Sequence, residues 1–396
     1  MMPLRVLYRG PICQGTGFGQ AAHDYLMAMQ TAGIETRIQL TIDGDTEALE
    51  GRYAPLAPLI DSQQDPEWPT HVIVHTIPKY AHEFVGKGEY LGVKAAMPPR
   101  VKKVCITTWE TSEIPKEFVK RIDQAFDLVI VPSTFNEHLF ISGGLSADKI
   151  RVIPHTFDPA WWFVDTAPRD PDKPYVFYTI TVWASRKNPM GLLTAYFTEF
   201  EPDENVVLKI VTPNVCKDEI FTLIRAMDVP NTPKVEFLGL RPQRLNDIEL
   251  RDIHLSSDCY VTVTRGEGWG LGAYEAMLIG NPVIATGYGG LTDFLKYYDR
   301  AILLDYLLTP TIIPEIAADK GFDAGTVHIR PMLNAGPCGL NYRQYWAEPD
   351  LRGCRVWMRK AFENRWGKDT TQRDELEMIF AYKTVGKRIR RALEML

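Results

Sequence analysis

The chain has 396 residues, more than one hydrophobic core usually holds, which predicts two domains. Hydrophobic residues make up 45% and charged residues 24% of the sequence, ordinary values for a globular protein. The formal net charge of −6 excludes a generally basic surface, and the sequence has neither an apolar run near ~20 residues nor a signal peptide, so we expect a cytoplasmic protein.

The first predicted elements are a strand, a glycine-rich loop and a helix. Leu4–Tyr8 is the short apolar run of a buried strand, and the helix extends from about Gln20 to Ala32. Glycines alternate over residues 15–19 of the loop, as in a dinucleotide-binding fingerprint. That fingerprint also needs an acidic residue at the end of the second strand, which Arg37–Leu40 lacks. An NAD-dependent oxidoreductase is therefore a distant alternative.

Strands and helices continue to alternate through the first half of the chain. The predicted strands are His71–His75, Val104–Thr108, Asp127–Ser133 and Lys149–His155. Such alternation is typical of α/β domains with parallel sheets, whose ligands bind at the carboxyl ends of the strands. The stretch Thr166–Pro174, rich in proline and charge, then predicts a linker to a second domain.

The second half opens with a strand that leads into two cations. Tyr175–Val182 is the predicted strand, and Arg186 and Lys187 precede a helix that begins near Met190. Because the helix dipole disfavours cations at a helix N-terminus, a bound anion is the natural reason for this position. An arginine fork and a compact ammonium both suit a diphosphate.

Residues 258–290 predict a strand, a glycine-rich turn, a helix, a second strand and a second glycine turn. Four glycines alternate from Gly266 to Gly272, and two acids, Glu267 and Glu275, lie in the turn and about one helical turn beyond it. Backbone N–H groups at such a helix N-terminus favour anions, whereas carboxylates accept hydrogen bonds from sugar hydroxyls. The residues therefore favour a ligand that carries both hydroxyls and a phosphate.

The same residues resemble the donor-site signature of retaining GT-B glycosyltransferases of the glycosyltransferase family 4 type. The matching runs are Glu267–Leu271 for E-G-aromatic-G-L, Glu275–Met277 for E-A-M, and Gly280–Ala285 for G-x-P-V-I-A. The turn Arg186–Pro189 is similar to the R-K-N-P turn of that family. One departure is Gly272, where the family usually has proline.

The resemblance implies an α/β fold of the GT-B class, with two Rossmann-like domains that face each other across a cleft. We expect an acceptor-side domain at residues 1–158 that also includes the C-terminal helix 384–396. Residues 159–173 are then the linker, and residues 174–383 form the domain that binds the nucleotide-sugar donor.

The resemblance also assigns roles to individual residues. The expected catalytic residues are Glu267, Lys187 and Arg186, of which the two cations stabilise the diphosphate. The expected donor-binding residues are Gly17, Gly268, Trp269, Gly270, Leu271 and Glu275, the last of which holds the ribose hydroxyls. The candidates for contact with the acceptor or the sugar are His75, Trp109 and Glu110, which follow strands of the first domain.

The implied reaction moves a sugar from a nucleoside diphosphate sugar to an acceptor hydroxyl, with retention of configuration. The resemblance implies neither a metal nor another cofactor, and the six cysteines show no metal-binding spacing. The sequence leaves open the nucleotide, the sugar and the acceptor class, which can be a glycan, a lipid, a protein or a modified nucleic-acid base. We expect residues 306–345 to be irregular, and their role is also left open. Alternatives are a phosphorylase or epimerase of the same fold and an inactive nucleotide-sugar binder. We expect the basic side of helix 384–396 to face solvent, in preference to contact with a membrane or a nucleic acid.

Overall fold

The computed structural model describes residues 3–12, 16–40, 51–60, 65, 67–85, 89–90, 93–94, 100–165, 169–243, 245–311 and 344–396. Contacts divide the described residues into two compact units. The first unit contains the residues up to Trp161, Gln344 and Asp374–Leu396, and the second contains Trp162–Thr311 and Tyr345–Arg373. The domain and linker limits expected from the sequence stay a prediction.

The α-helices are numbered in chain order. They are α1 (Gly17–Thr31), α2 (Lys116–Ala125), α3 (Thr134–Ser142), α4 (Pro159–Trp162), α5 (Pro189–Glu199), α6 (Lys217–Ala226), α7 (Asp247–Ser256), α8 (Leu271–Ile279), α9 (Leu291–Leu295), α10 (Leu351–Glu363), α11 (Arg373–Phe380) and α12 (Tyr382–Glu394). Short 3-10 turns occur at Gly51–Leu59, Ala81–Val85, Ala147–Lys149 and Ser185–Lys187. Among the described residues, no helix combines the length and the apolar character needed to cross a bilayer.

The strands are numbered in the same way. They are β1 (Arg5–Gly10), β2 (Glu35–Leu40), β3 (His71–His75), β4 (Glu89–Tyr90), β5 (Val93–Lys94), β6 (Lys102–Ile106), β7 (Leu128–Val131), β8 (Ile150–Val152), β9 (Tyr175–Ile180), β10 (Val206–Val211), β11 (Val235–Leu238), β12 (Cys259–Thr262), β13 (Val283–Thr286), β14 (Ala301–Leu304), β15 (Tyr306–Thr311) and β16 (Gln344–Pro349).

The first unit is built on a parallel six-stranded sheet with the order β2-β1-β3-β6-β7-β8. Its strands read as nearly continuous apolar runs because both faces of the sheet are covered. One face packs on α1 and α12, through residues such as Leu26 and Ile389, and the other packs on α2 and α3, through residues such as Phe118 and Phe140. The strand order reverses between β1 and β3, which places ligand-binding loops after these two strands.

The C-terminal helix α12 completes the core of the first unit. It lies along α1, and at Gly386 the two backbones come so close that a Cβ atom would lie 2.1 Å from the Ala28 carbonyl oxygen. Lys383, Lys387 and Arg391 are exposed on the outer side of the helix. Glycine at position 386 is therefore what allows this close packing.

The second unit is built on another parallel six-stranded sheet, with the order β11-β10-β9-β12-β13-β14. This is the strand order of the dinucleotide-binding Rossmann fold, and its reversal point lies between β9 and β12. Helices α5 and α10 cover one face of the sheet through a large apolar cluster. Helix α8 begins two residues before the predicted start at Ala273, and every residue from Ala273 to Ile279 is buried.

Residues 306–345 were expected to be irregular, and that expectation is wrong at both ends of the segment. β15 and β16 form a two-stranded sheet. Pro310 lies within β15 and is tolerated there because this strand has a single partner strand in that sheet, so an N–H group is not needed on its other side. Residues 312–343 lie outside the described ranges.

Candidate functional site

The carboxyl ends of β9 and β12 meet at the reversal point of the second sheet. Tyr260 of β12 pairs directly with Tyr178 of β9. β9 leads through the 3-10 turn Ser185–Lys187 into α5, and β12 leads through the glycine turn into α8. The two segments singled out in the sequence, about 80 residues apart, are therefore brought to one place.

An ion cluster of Glu267, Lys187 and Arg186 occupies this place. Lys187 Nζ donates to Glu267 Oε1 at 2.5 Å, and Arg186 Nη1 lies 3.4 Å from Glu267 Oε2. The Glu267 side chain is 10% exposed, against 19% for Lys187 and 21% for Arg186. The three predicted catalytic residues thus lie together, and the two cations are more exposed than the carboxylate.

The electrostatics of the cluster keep Glu267 ionised. Burial by itself raises the pKa of this carboxyl, but the charges of Lys187 and Arg186 outweigh burial and hold the pKa below its ordinary value. One ionised carboxylate beside two cations leaves a net positive charge within the cluster of Glu267, Lys187 and Arg186.

Asn188 holds the two cations in position. It has left-handed backbone geometry (φ 54°), and its Oδ1 accepts a hydrogen bond from Gly191 N at 3.2 Å, which caps α5. Its Nδ2 donates to the carbonyl oxygen of Val263 at 3.2 Å, just after β12. The backbone N–H of Arg265 donates to the Arg186 carbonyl oxygen at 2.7 Å and adds a second tie. Sequence reasoning did not single out Asn188, although Asn followed by Pro is a recognised signal for a helix start.

The two glycine turns pack backbone against backbone. Gly290 N donates to the Glu267 carbonyl oxygen at 2.8 Å, and a Cβ atom on Gly290 would lie 1.9 Å from the Gly268 carbonyl oxygen. Gly270, at φ 98°, takes the left-handed conformation that starts α8. The second glycine turn therefore supports the first, which carries Glu267.

The remaining turn residues divide into core residues and pocket residues. Trp269 is 4% exposed and packs its ring against Phe294, with the ring centroids 4.9 Å apart, so only its backbone is available to a ligand. Gly270 and Leu271 line a narrow pocket at the strand ends. The other residues of the pocket wall are Ile180, Thr181, Lys187, Tyr260, Thr262, Glu267, Gly272, Ala273 and Leu291.

The position of the Tyr260 side chain explains why residue 272 is a glycine. A Cβ atom on Gly272 would lie 2.4 Å from the Tyr260 hydroxyl oxygen and 3.3 Å from the Ile180 carbonyl oxygen. The Tyr260 hydroxyl donates to that same carbonyl at 3.3 Å. The tyrosine therefore fills the space that a larger residue at position 272 would need.

Glu275 lies on the second turn of α8 and contacts a buried histidine. Its Oε2 lies 3.2 Å from Nε2 of His254, whose side chain is completely buried at the end of α7. Glu275 itself is 8% exposed. Sequence reasoning missed His254, because a single histidine in a helix has no spacing signal.

The candidates in the first unit are placed as follows. Gly17 is the first residue of α1, directly after the loop that follows β1, and it is exposed. His75 ends β3 and is 2% exposed; its Nδ1 lies 2.7 Å from the Tyr8 hydroxyl, and burial together with the nearby His155 lowers the pKa of His75 to about 3. The imidazole of His75 is therefore neutral and enclosed, and its contact with the acceptor or the sugar stays a prediction.

Trp109 and Glu110 differ in exposure. Trp109 is 5% exposed, and its Nε1 donates to Thr111 Oγ1 at 2.9 Å and to the Glu113 carbonyl oxygen at 2.7 Å. Glu110 is half-buried in the segment between β6 and α2. Of this pair, only Glu110 presents a side chain with partial access to solvent.

A wider groove lies elsewhere in the first unit. Its wall contains Gln30, Gly33, Ile34, Glu35, Thr36, Arg37, Pro58, Leu59, Ile60 and Trp68. It includes none of the strand-end residues that carry the charge cluster. Charge, glycine turns and sheet topology all coincide at the narrow pocket instead, and this pocket is the candidate site.

Solved structures with the same architecture identify the fold. HepE of Anabaena, crystallised with UDP and glucose, is 16% identical, has a TM-score of 0.64 and aligns over 99% of this chain and 100% of that chain. Sucrose-phosphate synthase from Thermosynechococcus elongatus is 12% identical, with a TM-score of 0.66 over 99% and 98% of the two chains. Together with the two parallel six-stranded sheets, these likenesses confirm the predicted α/β fold of the GT-B class.

A family model matches part of the sequence, within the second unit. Residues 165–306 match the model of the family described as glycosyl transferases group 1. This match lies within the second unit and agrees with the family resemblance predicted from the sequence. Mannosylfructose-phosphate synthase of Agrobacterium fabrum is 26% identical over 217 residues, which is 50% of this chain and 47% of that protein. The matched region thus spans about half the length of this curated relative.

Proposed function

We propose that the chain is a retaining glycosyltransferase that moves a sugar from a nucleoside diphosphate sugar to an acceptor hydroxyl. The observation that carries this proposal is the cluster of Glu267, Lys187 and Arg186 at the reversal point of the second sheet. The same point is where open α/β sheets bind nucleotides.

The two cations are suited to the diphosphate. Lys187 is 19% exposed and lines the pocket, so its ammonium can contact a ligand while one of its N–H groups bonds Glu267. Transfer of the sugar leaves a nucleoside diphosphate with additional negative charge. A preorganised cation at that position stabilises the transition state more than the ground state.

The carboxylates and the glycine turn are suited to the hydroxyls. Glu267 and the amides of Gly268–Leu271 surround the sugar subsite, and the carboxylate offsets positive charge that develops at the anomeric carbon. Glu275, one turn into α8, accepts hydrogen bonds from the ribose.

Relatives support the kind of donor. HepE was crystallised with UDP and glucose, and two relatives are named as synthases of phosphorylated sugars. The acceptor hydroxyl belongs to a glycan, a lipid, a protein or a modified nucleic-acid base. We propose that the reaction needs no metal, because Lys187 and Arg186 supply the positive charge, and we expect full activity in excess chelator.

The first experiment is a binding panel. UDP-, GDP-, ADP- and TDP-sugars, NAD and NADP are compared by thermal shift, and each hit is then incubated to detect donor hydrolysis. A ligand at 100 times its Kd stabilises the folded state by about 2.7 kcal/mol, which is well within reach of the assay. We expect one nucleotide sugar to stabilise the protein and to be hydrolysed slowly without an acceptor.

Two outcomes contradict the proposal. Stabilisation by NAD alone would replace it with the oxidoreductase alternative. A product sugar with inverted anomeric configuration, measured by NMR, would keep the transferase and reject retention.

A further inference from the structure

A fully buried chain of hydrogen bonds ends at Glu275. It runs from Asn281, between α8 and β13, through Tyr178 of β9 to His254 of α7. Asn281 and His254 are 0% exposed, and Tyr178 is among the largest side chains that are completely buried. All of these residues belong to the second unit.

The direction of each hydrogen bond follows from the backbone carbonyl of His254. That oxygen can only accept, and a nitrogen of the Asn281 amide lies 2.7 Å from it, so the NH₂ group of Asn281 must face this way. The other N–H of the same group donates to the Tyr178 hydroxyl oxygen at 2.7 Å. The His254 carbonyl oxygen, which cannot donate, thus fixes the orientation of the Asn281 amide.

Tyr178 then determines which ring nitrogen of His254 carries the proton. Burial raises the pKa of Tyr178 well above its ordinary value, so its hydroxyl keeps its proton. The oxygen accepts from Asn281, and the acceptor that the structure places beside the O–H is Nδ1 of His254, 2.7 Å away, so the O–H donates there. An imidazole whose Nδ1 accepts carries its proton on Nε2, and Nε2 is the atom that faces Glu275 Oε2 at 3.2 Å.

The imidazole ring cannot easily rotate out of this orientation. Trp162 packs edge-on against it with the ring centroids 5.9 Å apart, and the Tyr178 ring does the same at 5.2 Å. Tyr260, which lines the pocket, stacks on His254 with the centroids 6.3 Å apart. The N–H that reaches Glu275 is therefore held by aromatic packing as well as by hydrogen bonds.

We propose that His254 is a positioning residue for Glu275, held by Asn281 and Tyr178 as the tautomer that donates from Nε2, so that the carboxylate is oriented toward the ribose of the donor. The inference rests on the proposed function, because the ribose contact is part of it. His254 acts through Glu275 and does not touch the nucleotide.

The test compares nucleotides that have ribose hydroxyls with nucleotides that lack them. The probes are uridine, guanosine and adenosine diphosphates, each with its 2′,3′-dideoxy counterpart, and Kd is measured by calorimetry on the full chain. We expect His254→Leu to raise Kd about tenfold for the ribonucleotide that binds the wild type best, the scale of one hydrogen bond to a charged group. For its dideoxy counterpart we expect less than about a twofold change, because the contact that His254 orients is absent there.

Two further variants separate positioning from general damage. His254→Gln places an amide N–H close to where Nε2 lies, and we expect it to recover most of the affinity. Tyr178→Phe keeps the aromatic packing and removes the hydroxyl that fixes the tautomer, so we expect about a threefold loss that again depends on the ribose hydroxyls. If His254→Leu does not fold, these two variants decide the question.

A donor KM that rises at nearly constant kcat would agree with the proposal, because the ribose contact is equal in the ground state and the transition state. Equal losses of affinity for ribonucleotides and dideoxynucleotides, or no loss of affinity in any variant, would overturn the role of His254. Either result would leave the proposed function standing. A wild type that binds none of the nucleotides would remove the proposed function, and this inference with it.

Discussion

Replacing Lys187 with alanine tests both the structural role and the proposed catalytic role of the ion cluster. Removal of one partner from a buried ion pair costs about 3–5 kcal/mol of folding stability. Lys187 is 19% exposed, and Arg186 stays 3.4 Å from the other Glu267 oxygen, so the loss is expected below that range, at about 2 kcal/mol. Turnover is expected to fall by about 10²–10³-fold, the usual effect of removing one preorganised stabilising group.

A second substitution distinguishes the two effects. Adding Glu267→Gln to Lys187→Ala removes the carboxylate charge that Lys187→Ala leaves without its lysine partner. The free energy of unfolding measured in urea should therefore largely return to the wild-type value. Turnover should not return, because the cation proposed to stabilise the diphosphate is still absent. Lys234→Ala is the matched control, since Lys234 pairs with Glu236 at 2.8 Å but is 63% exposed. It should leave both stability and turnover nearly unchanged.

The assays are urea unfolding and the rate of donor consumption at saturating donor. Turnover of folded Lys187→Ala within a few-fold of wild type would remove Lys187 from the mechanism. Unchanged stability in the same variant would show that the Glu267 charge does not depend on Lys187, contrary to the lowered pKa of that carboxyl.

Three further predictions concern other parts of the molecule. Glu275→Ala should weaken nucleotide binding roughly 10–150-fold, as expected for lost hydrogen bonds to a charged group, and unchanged affinity in calorimetry would reject the ribose contact. Burial lowers the pKa of both His75 and His155 to about 3, so stability should fall as the pH drops below about 6.5, where only the unfolded chain takes up these protons. His75→Asn, which keeps an acceptor for Tyr8, should reduce that slope by about 1.4 kcal/mol per pH unit in unfolding curves recorded between about pH 6 and 4, and an unaltered slope would contradict the assignment. Gly272→Ala should destabilise the fold by about 1–3 kcal/mol in wild type and by less in a Tyr260→Leu background, whereas equal costs in the two backgrounds would show that Tyr260 is not the obstacle.

Local patterns predicted the elements around the site well. The apolar strand before the glycine turn, the helix after it and the next strand each occur within a few residues of their expected limits as β12, α8 and β13. These elements are determined by short-range periodicity and by glycine, which a sequence displays directly. The placement of Arg186 and Lys187 beside Glu267 was expected from a family resemblance and not from spacing, because alternating strands and helices do not reveal which strands are neighbours.

The supporting contacts could not be predicted. Asn188, His254 and Tyr260 act through side chains that meet partners distant in sequence or in another element, and each is a residue type with many ordinary structural roles. The departure at Gly272 was visible in the sequence, but its cause became clear only when the Tyr260 hydroxyl was found in the same space. The strand β15 was missed because the prolines at positions 310 and 314 suggested a loop.

The close packing of α12 on α1 has a consequence for the order in which the chain acquires its structure during synthesis. The strands of the first sheet leave the ribosome early, but Val385, Ile389 and Leu393, which belong to the same apolar core, leave it only after the whole second unit. Until then the apolar side of α1 that α12 covers is exposed, and the second unit can fold as an independent insertion. The nascent first unit is therefore a natural substrate for chaperones, and a chain that stops before residue 382 should aggregate through α1.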